Sequence, residues 1–157
     1  MKNFQDEITV LKGVRKSYQE SKTKKASFFT MLLNAVFRSI TNDKEVKYVS
    51  KEALKIAKQK GVDLSKMNYK HMKKVDPNKE WLYYEHCNPI KDLRLAILET
   101  DEDIEKIVER DFICWITRKE QAILDKYFKD HRENWKKCFR YVGIEFVRNK
   151  SSLYNEL

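Results

Sequence analysis

Glu85 and His86 are the residues of this sequence best suited to chemistry. They stand side by side in WLYYEHCNP, residues 81–89, directly after four apolar or aromatic residues. A neutral imidazole can take a proton from water near pH 7. A carboxylate beside it can offer an oxygen ligand to Mg²⁺ or Mn²⁺, which keep most of their waters and need few protein ligands. Such a pair could support hydrolysis of a phosphodiester bond.

The segment YYEHCNP resembles the [D/E]H-x-x-P element that opens the HNH motif of ββα-metal nucleases. Glu85, His86 and Pro89 stand at the spacings of that element. FICWITRKEQAIL resembles the second strand and the metal-bearing helix, so that the resemblance covers about 40 residues, 83–124. It implies that His86 is a general base, that Glu85 binds or orients a metal ion, and that Glu120 is a further ligand. The implied cofactor is Mg²⁺ or Mn²⁺.

The chain departs from the family pattern at the helix after the second strand. The family commonly has a histidine there, whereas TRKEQ offers only Glu120. Thr117 and Glu120 also fit a capping box at the start of a helix, which is a structural role. A structural role for His86, as a hydrogen-bond partner of Glu85 or of a backbone carbonyl, is an alternative to catalysis.

The surrounding sequence predicts an α+β fold that is predominantly α-helical. Only three Gly and two Pro occur, too few for a turn-rich β-sandwich or barrel. Apolar spacing and capping residues predict helices over 4–21, 28–40 and 44–60, two short helices beginning near Pro89 and Asp103, one after Thr117, and one over about 132–142. Aromatic and apolar segments predict strands at 81–87 and 112–117.

These elements divide the chain into three parts. They predict a basic helical region over residues 1–75, a compact α+β unit resembling ββα with inserted helices over 79–147, and a polar, flexible tail over 148–157. The length of 157 residues suits one integrated domain.

The positive charge is concentrated in the N-terminal half. The net charge is +9, and residues 1–80 hold 19 Lys/Arg against 9 Asp/Glu, whereas residues 81–157 hold 14 against 15. This asymmetry indicates a polyanionic partner, nucleic acid first, with DNA favoured over RNA. The predicted contacts are Lys47, Lys51, Lys55, Lys58, Lys70, Lys73, Lys74, Arg118 and Lys119.

Composition and motifs disfavour several other classes of protein. The chain has three cysteines and no CxxC pair, which argues against a zinc ribbon and against a disulfide framework. This use of cysteine favours a location in the reducing cytoplasm. No apolar segment approaches the roughly 18 residues of a membrane span. The N-terminus lacks the apolar core of a secretory signal. No nucleotide-binding, zincin or Ser-hydrolase motif is present.

The sequence favours a small metal-dependent, HNH-like endonuclease with His86 as general base. One alternative is a non-catalytic nucleic-acid-binding or regulatory protein. Another is a small inhibitor or immunity-type module, of the kind found on mobile elements, whose partner is a protein.

Overall fold

A four-stranded sheet carries Glu85 and His86. In the computed structural model, which describes residues 4–129 and 131–154, the strands lie in the order β2-β3-β1-β4. Their bounds are β1 Tyr48–Ser50, β2 Leu82–His86, β3 Ile113–Thr117 and β4 Phe146–Arg148. β2 pairs antiparallel with β3, so that His86 lies opposite Ile113. β1 pairs in parallel with β3 and antiparallel with β4. The end of β2 therefore lies beside the start of β3.

Eight α-helices and two short 3₁₀ helices make up most of the rest of the described chain. The α-helices are α1 Gln5–Glu20, α2 Ala26–Asp43, α3 Lys51–Gln59, α4 Tyr69–Val75, α5 Ile90–Glu99, α6 Ile104–Glu109, α7 Arg118–Phe128 and α8 Trp135–Tyr141. The 3₁₀ helices are Leu64–Lys66 and Ser151–Tyr154. The predicted α+β, predominantly α-helical fold class is confirmed.

The helices bury three hydrophobic clusters on and beside the sheet. α1, α2, α5 and α6 enclose the first, whose fully buried members include Leu11, Leu33, Phe37, Ile97 and Ile107. The second lies between α3, α4 and one face of the sheet, and the third between α7, α8 and the opposite face. Full burial of such a side chain stabilises the fold by about 1.5–3 kcal/mol. Because both faces are covered, all five residues of β3 are buried.

β1 lies inside the segment for which the sequence predicts a helix, residues 44–60. The helix begins only at Lys51, because Tyr48–Ser50 is paired in the sheet. Ser50 then caps α3, its Oγ accepting a hydrogen bond from the backbone N–H of Ala53 at 3.0 Å. Residues 1–75 are thus not wholly helical, since they supply a strand between β3 and β4.

The C-terminal segment also differs from its prediction as a polar, flexible tail. Arg148 belongs to β4, and Asn149 and Tyr154 are buried. Asn149 Nδ2 donates to the carbonyl oxygens of Val46 and Leu64, both at 3.1 Å, and Tyr154 donates to Asn149. Residues 155–157 of the predicted tail lie outside the described residues.

Several predicted helix ends are found where capping chemistry places them. Thr117 and Glu120 form the expected capping box of α7. Gly61 and Gly143 follow helices with φ of 65° and 78°, a left-handed conformation that glycine adopts readily. Pro89 is the N-cap of α5, in agreement with the helix predicted to begin near that residue.

A buried aspartate holds the loop that leads into β2. Asp76 accepts hydrogen bonds from the backbone N–H groups of Glu80, Trp81 and Leu82 at 2.9, 3.0 and 2.8 Å. Burial acts to raise the pKa of Asp76, but these N–H groups outweigh it and hold the pKa below its ordinary value. The loop therefore fixes where β2 begins, and with it the position of Glu85 and His86.

We expect Asp76→Ala to lower the free energy of unfolding by about 2–4 kcal/mol, because three backbone N–H groups, of which that of Leu82 is buried, lose a charged acceptor. Urea unfolding at pH 7 measures the loss. Asp103→Ala, which removes the single cap bond to Lys106, should cost only about 1 kcal/mol. The Asp76 contribution should be lost as the pH falls through its depressed pKa. Equal losses in the two variants would contradict this account of the loop.

Candidate functional site

Glu85 and His86 point to opposite faces of β2, as successive strand residues do. The Glu85 carboxylate faces the α7–α8 side, where its Oε1 accepts a hydrogen bond from Arg132 at 2.7 Å. The His86 ring faces the other way, with its Nδ1 2.8 Å from Asp111 Oδ1. The two neighbours in sequence thus belong to two separate polar contacts.

Glu120, the third residue of the implied metal site, lies at the other end of β2. Its carboxylate accepts hydrogen bonds from Thr117 N–H and Ser50 Oγ, both at 2.7 Å. Thr117 is paired with Leu82, four residues before His86 in β2, which is about 13 Å along a strand. Glu85, His86 and Glu120 therefore do not converge on one cation. Within residues 4–129 and 131–154, no group of three His, Cys, Asp or Glu is placed to hold a metal ion.

The Glu85–Arg132 ion pair is buried and ties the segment before α8 to β2. Burial raises the pKa of the Glu85 carboxyl, although the charge and hydrogen bond of Arg132 oppose the rise. Arg132 also donates to the carbonyl oxygens of His86 and Phe128, at 2.6 and 3.0 Å. These contacts indicate that Glu85 has a structural role. The sequence places Arg132 only at the start of a predicted helix, and α8 in fact begins at Trp135.

His86, Asp111 and Lys44 form a second buried contact. Asp111 is fully buried, and its Oδ2 lies 3.2 Å from Lys44 Nζ. Burial acts to raise the pKa of Asp111, but His86 and Lys44 outweigh it and lower the pKa. Burial lowers the pKa of Lys44, although the charge and hydrogen bond of Asp111 oppose this shift. Asp111 is thus an ionised carboxylate behind the imidazole, and nothing in the sequence singles it out.

The His86 ring lines an open cleft of about 680 Å³ between α2, the start of α4 and the end of β2. Asn34, Arg38 and Tyr69 lie on its walls. His86 Nε2 has no hydrogen-bond partner in the part of the chain that the structure describes. The cleft therefore combines a carboxylate-backed imidazole with a guanidinium and polar side chains.

The cleft floor is held by a buried tyrosine. Tyr84 donates its hydroxyl hydrogen to the carbonyl oxygen of Thr41 at 2.8 Å, and its ring lies 5.0 Å from that of Trp115. Burial raises the pKa of Tyr84, so that it stays protonated and keeps this bond. The contact fixes the end of α2 against β2, and with it the width of the cleft.

The predicted nucleic-acid contacts are spread over the surface. Lys51, Lys55 and Lys58 line one shallow depression along α3. Lys70 is paired with Asp43. The Lys47 ammonium lies 4.8 Å from the centre of the Phe112 ring. The Arg118 guanidinium lies 4.5 Å from the centre of the Tyr83 ring. The remaining predicted cations, all exposed, are Lys73, Lys74 and Lys119. Of these predicted cations, Lys51, Lys55 and Lys58 thus share one depression, and Arg118 and Lys119 line another.

The other two histidines have structural contacts. His71 belongs to the capping box of α4 with Asn68. His131 is exposed, and its Nδ1 lies 3.2 Å from Asp92 Oδ1. Neither lies in the His86 cleft.

No protein-family model, curated protein or solved structure matches the chain. Among the helices of the described residues, none has the length and apolar composition that a membrane span requires. The geometry of the site and the charge of the surface are therefore the basis for a function.

Proposed function

We propose that the protein cleaves nucleic acid in the His86 cleft, with His86 as general base. The observation that carries this proposal is the 2.8 Å contact between His86 Nδ1 and the buried Asp111 carboxylate. It is supported by Arg38 in the same cleft and by the net charge of +9, which favours a polyanionic substrate.

The proposed reaction uses the two nitrogens of one imidazole. Asp111 accepts the hydrogen of Nδ1, which fixes the tautomer in which Nε2 carries a lone pair. Nε2 takes a proton from a water or a ribose hydroxyl as that oxygen forms a bond to phosphorus. The phosphorus–oxygen bond of the leaving group breaks, and that oxygen takes a proton from solvent. Arg38, which lines the same cleft, would bind the non-bridging phosphate oxygens.

Dependence on Mg²⁺ or Mn²⁺ stays a prediction of the sequence resemblance. The residues that the resemblance implies as ligands do not fit a shared site, since Glu85 pairs with Arg132 and Glu120 caps α7. The steps proposed here use only the side chains of the cleft.

We expect His86→Gln to lower the rate of cleavage by about 10²–10⁴-fold, because the amide cannot accept the proton. The assay offers supercoiled plasmid, single-stranded DNA and single-stranded RNA, each with Mg²⁺, with Mn²⁺ and with EDTA. His131→Gln is the matched control, since it removes another histidine that contacts an aspartate but lies outside the cleft. Cleavage that survives His86→Gln, or wild-type protein that cleaves none of the substrates, would overturn the proposal.

The same assay separates the alternatives. Salt-sensitive binding of nucleic acid without cleavage would favour a non-catalytic nucleic-acid-binding or regulatory protein. Neither binding nor cleavage would favour the inhibitor or immunity-type module with a protein partner. Faster cleavage of RNA than of DNA would reverse the predicted preference for DNA.

A further inference from the structure

A second groove lies where the edge strand β4 meets α8. Its volume is about 530 Å³, and it is separate from the His86 cleft. Its lining includes four cationic side chains and one carboxylate, that of Glu145. The cations are Lys51, Lys136, Arg140 and Arg148. We refer to this feature as the α8–β4 groove.

Three aromatic rings lie among these cations. The Tyr48 ring is centred 5.4 Å from that of Trp135, which is centred 5.9 Å from that of Phe146. All three side chains are half-buried, so that each packs on the core and still presents part of its surface to the groove. The Lys136 ammonium lies 5.6 Å from the centre of the Trp135 ring. Cationic and aromatic groups therefore share one surface.

The single carboxylate of the groove does not neutralise its four cations. Glu145 is paired with Lys51. Arg140 and Arg148 are exposed and make no salt bridge in the part of the chain that the structure describes. An occupant of the groove would therefore carry negative charge.

The cationic surface continues from the groove onto α3. Lys51 lines both the groove and the depression that Lys55 and Lys58 share. Lys51 and Lys58 are seven residues apart in one helix, which adds about 10 Å to the length of the surface. The surface thus has the form of an extended path rather than a single anion pocket.

We propose that the α8–β4 groove binds single-stranded nucleic acid. Cations alone would serve a duplex, whose bases are stacked inside and whose phosphates face outward. Aromatic rings in the same groove add binding energy only when unpaired bases can stack on them. This inference does not depend on cleavage at His86, and it is tested by binding rather than by activity.

The test measures the fluorescence anisotropy of a labelled single-stranded oligonucleotide of about 15 nucleotides. All measurements are made in EDTA, and every variant also carries His86→Gln as the common background, so that no oligonucleotide is cleaved. Arg140→Glu/Arg148→Glu in that background is expected to weaken binding by about 10- to 100-fold. The slope of log Kd against log salt should fall by about 1.4, since each lost phosphate contact removes about 0.7. Lys22→Glu/Lys25→Glu reverses the same amount of charge at two exposed lysines before α2, and it should retain the affinity of the background protein.

The aromatic part of the inference is tested by Trp135→Leu, which should weaken single-strand binding by roughly 5- to 150-fold. It should leave duplex binding nearly unchanged. Thermal unfolding shows whether each variant is folded at the assay temperature, and Arg140→Gln/Arg148→Gln replaces the glutamate pair if that variant unfolds. Equal weakening by the groove and control pairs, tighter binding of duplex than of single strand, or displacement by poly-glutamate with no displacement by nucleic acid would each overturn the proposal.

Discussion

Replacing Arg132 by methionine is expected to lower the free energy of unfolding at pH 7 by about 3–5 kcal/mol. The side chain of Arg132 is 1% exposed and that of its partner Glu85 is 12% exposed. Methionine fills much of the same volume but leaves the carboxylate buried without an opposite charge. Two backbone carbonyls, of His86 and Phe128, also lose their donor. Urea or thermal unfolding measures the loss.

The pH dependence of this loss identifies its cause. Burial already raises the pKa of Glu85, and without Arg132 the pKa would rise further. A carboxyl whose folded-state pKa is raised stabilises the fold when it is protonated and ceases to do so as the pH rises through that pKa. The cost of Arg132→Met should therefore be largest at neutral pH and smaller near pH 5. A loss that grows as the pH falls would contradict an unpaired Glu85.

Two further variants isolate the buried charge from the loss of an arginine. Glu85→Gln/Arg132→Met should recover more than half of the loss, because no charge is then left unpaired. Arg110→Met removes an exposed arginine that lies 2.9 Å from Glu102, and it should cost no more than about 1 kcal/mol. Equal costs for Arg110→Met and Arg132→Met would show that the buried pair does not stabilise this fold.

Local signals predict the elements of this fold better than they predict its sheet. The capping box of Thr117 and Glu120 is a property of a few neighbouring residues, and it is found as expected. β1 and β4 are strands of three residues each. The β1 segment stands within a helical apolar pattern, and its extended conformation is fixed by pairing with Cys114 and Trp115 in β3. No local pattern reports a partner so far along the chain.

In the candidate site, too, local sequence patterns do not reveal contacts between residues that are far apart in the chain. Glu85 and His86 are conspicuous because two ionisable residues follow an apolar segment. Their partners are 47 and 25 residues away, at Arg132 and Asp111. Asp111 stands in a charged segment, ERDF, where nothing in the sequence distinguishes it from a solvated aspartate. The strand alternation that separates Glu85 from His86 could be predicted, whereas the choice of partners required the packed structure.

Asp111→Asn is expected to lower the rate of the proposed cleavage by about 10²–10⁴-fold while His86 itself is retained. The asparagine amide can donate a hydrogen to Nδ1, which moves the imidazole hydrogen to Nε2. Nε2 then has no lone pair with which to accept a proton. Because this change acts on the base rather than on substrate binding, kcat should fall and KM should stay nearly constant.

The tautomer can be observed without any assay of cleavage. In ¹⁵N-labelled wild-type protein at neutral pH, NMR of His86 should show hydrogen on Nδ1, and in Asp111→Asn on Nε2. Asp101→Asn makes the same chemical change at an exposed residue before α6, and it should alter neither the tautomer nor the rate. Lys44 loses its charged partner in Asp111→Asn, so both measurements are made well below the thermal transition of that variant. A wild-type His86 with hydrogen on Nε2, or a variant that keeps its rate, would remove Asp111 from the proposed mechanism, because its carboxylate would then neither fix the imidazole nor assist proton transfer.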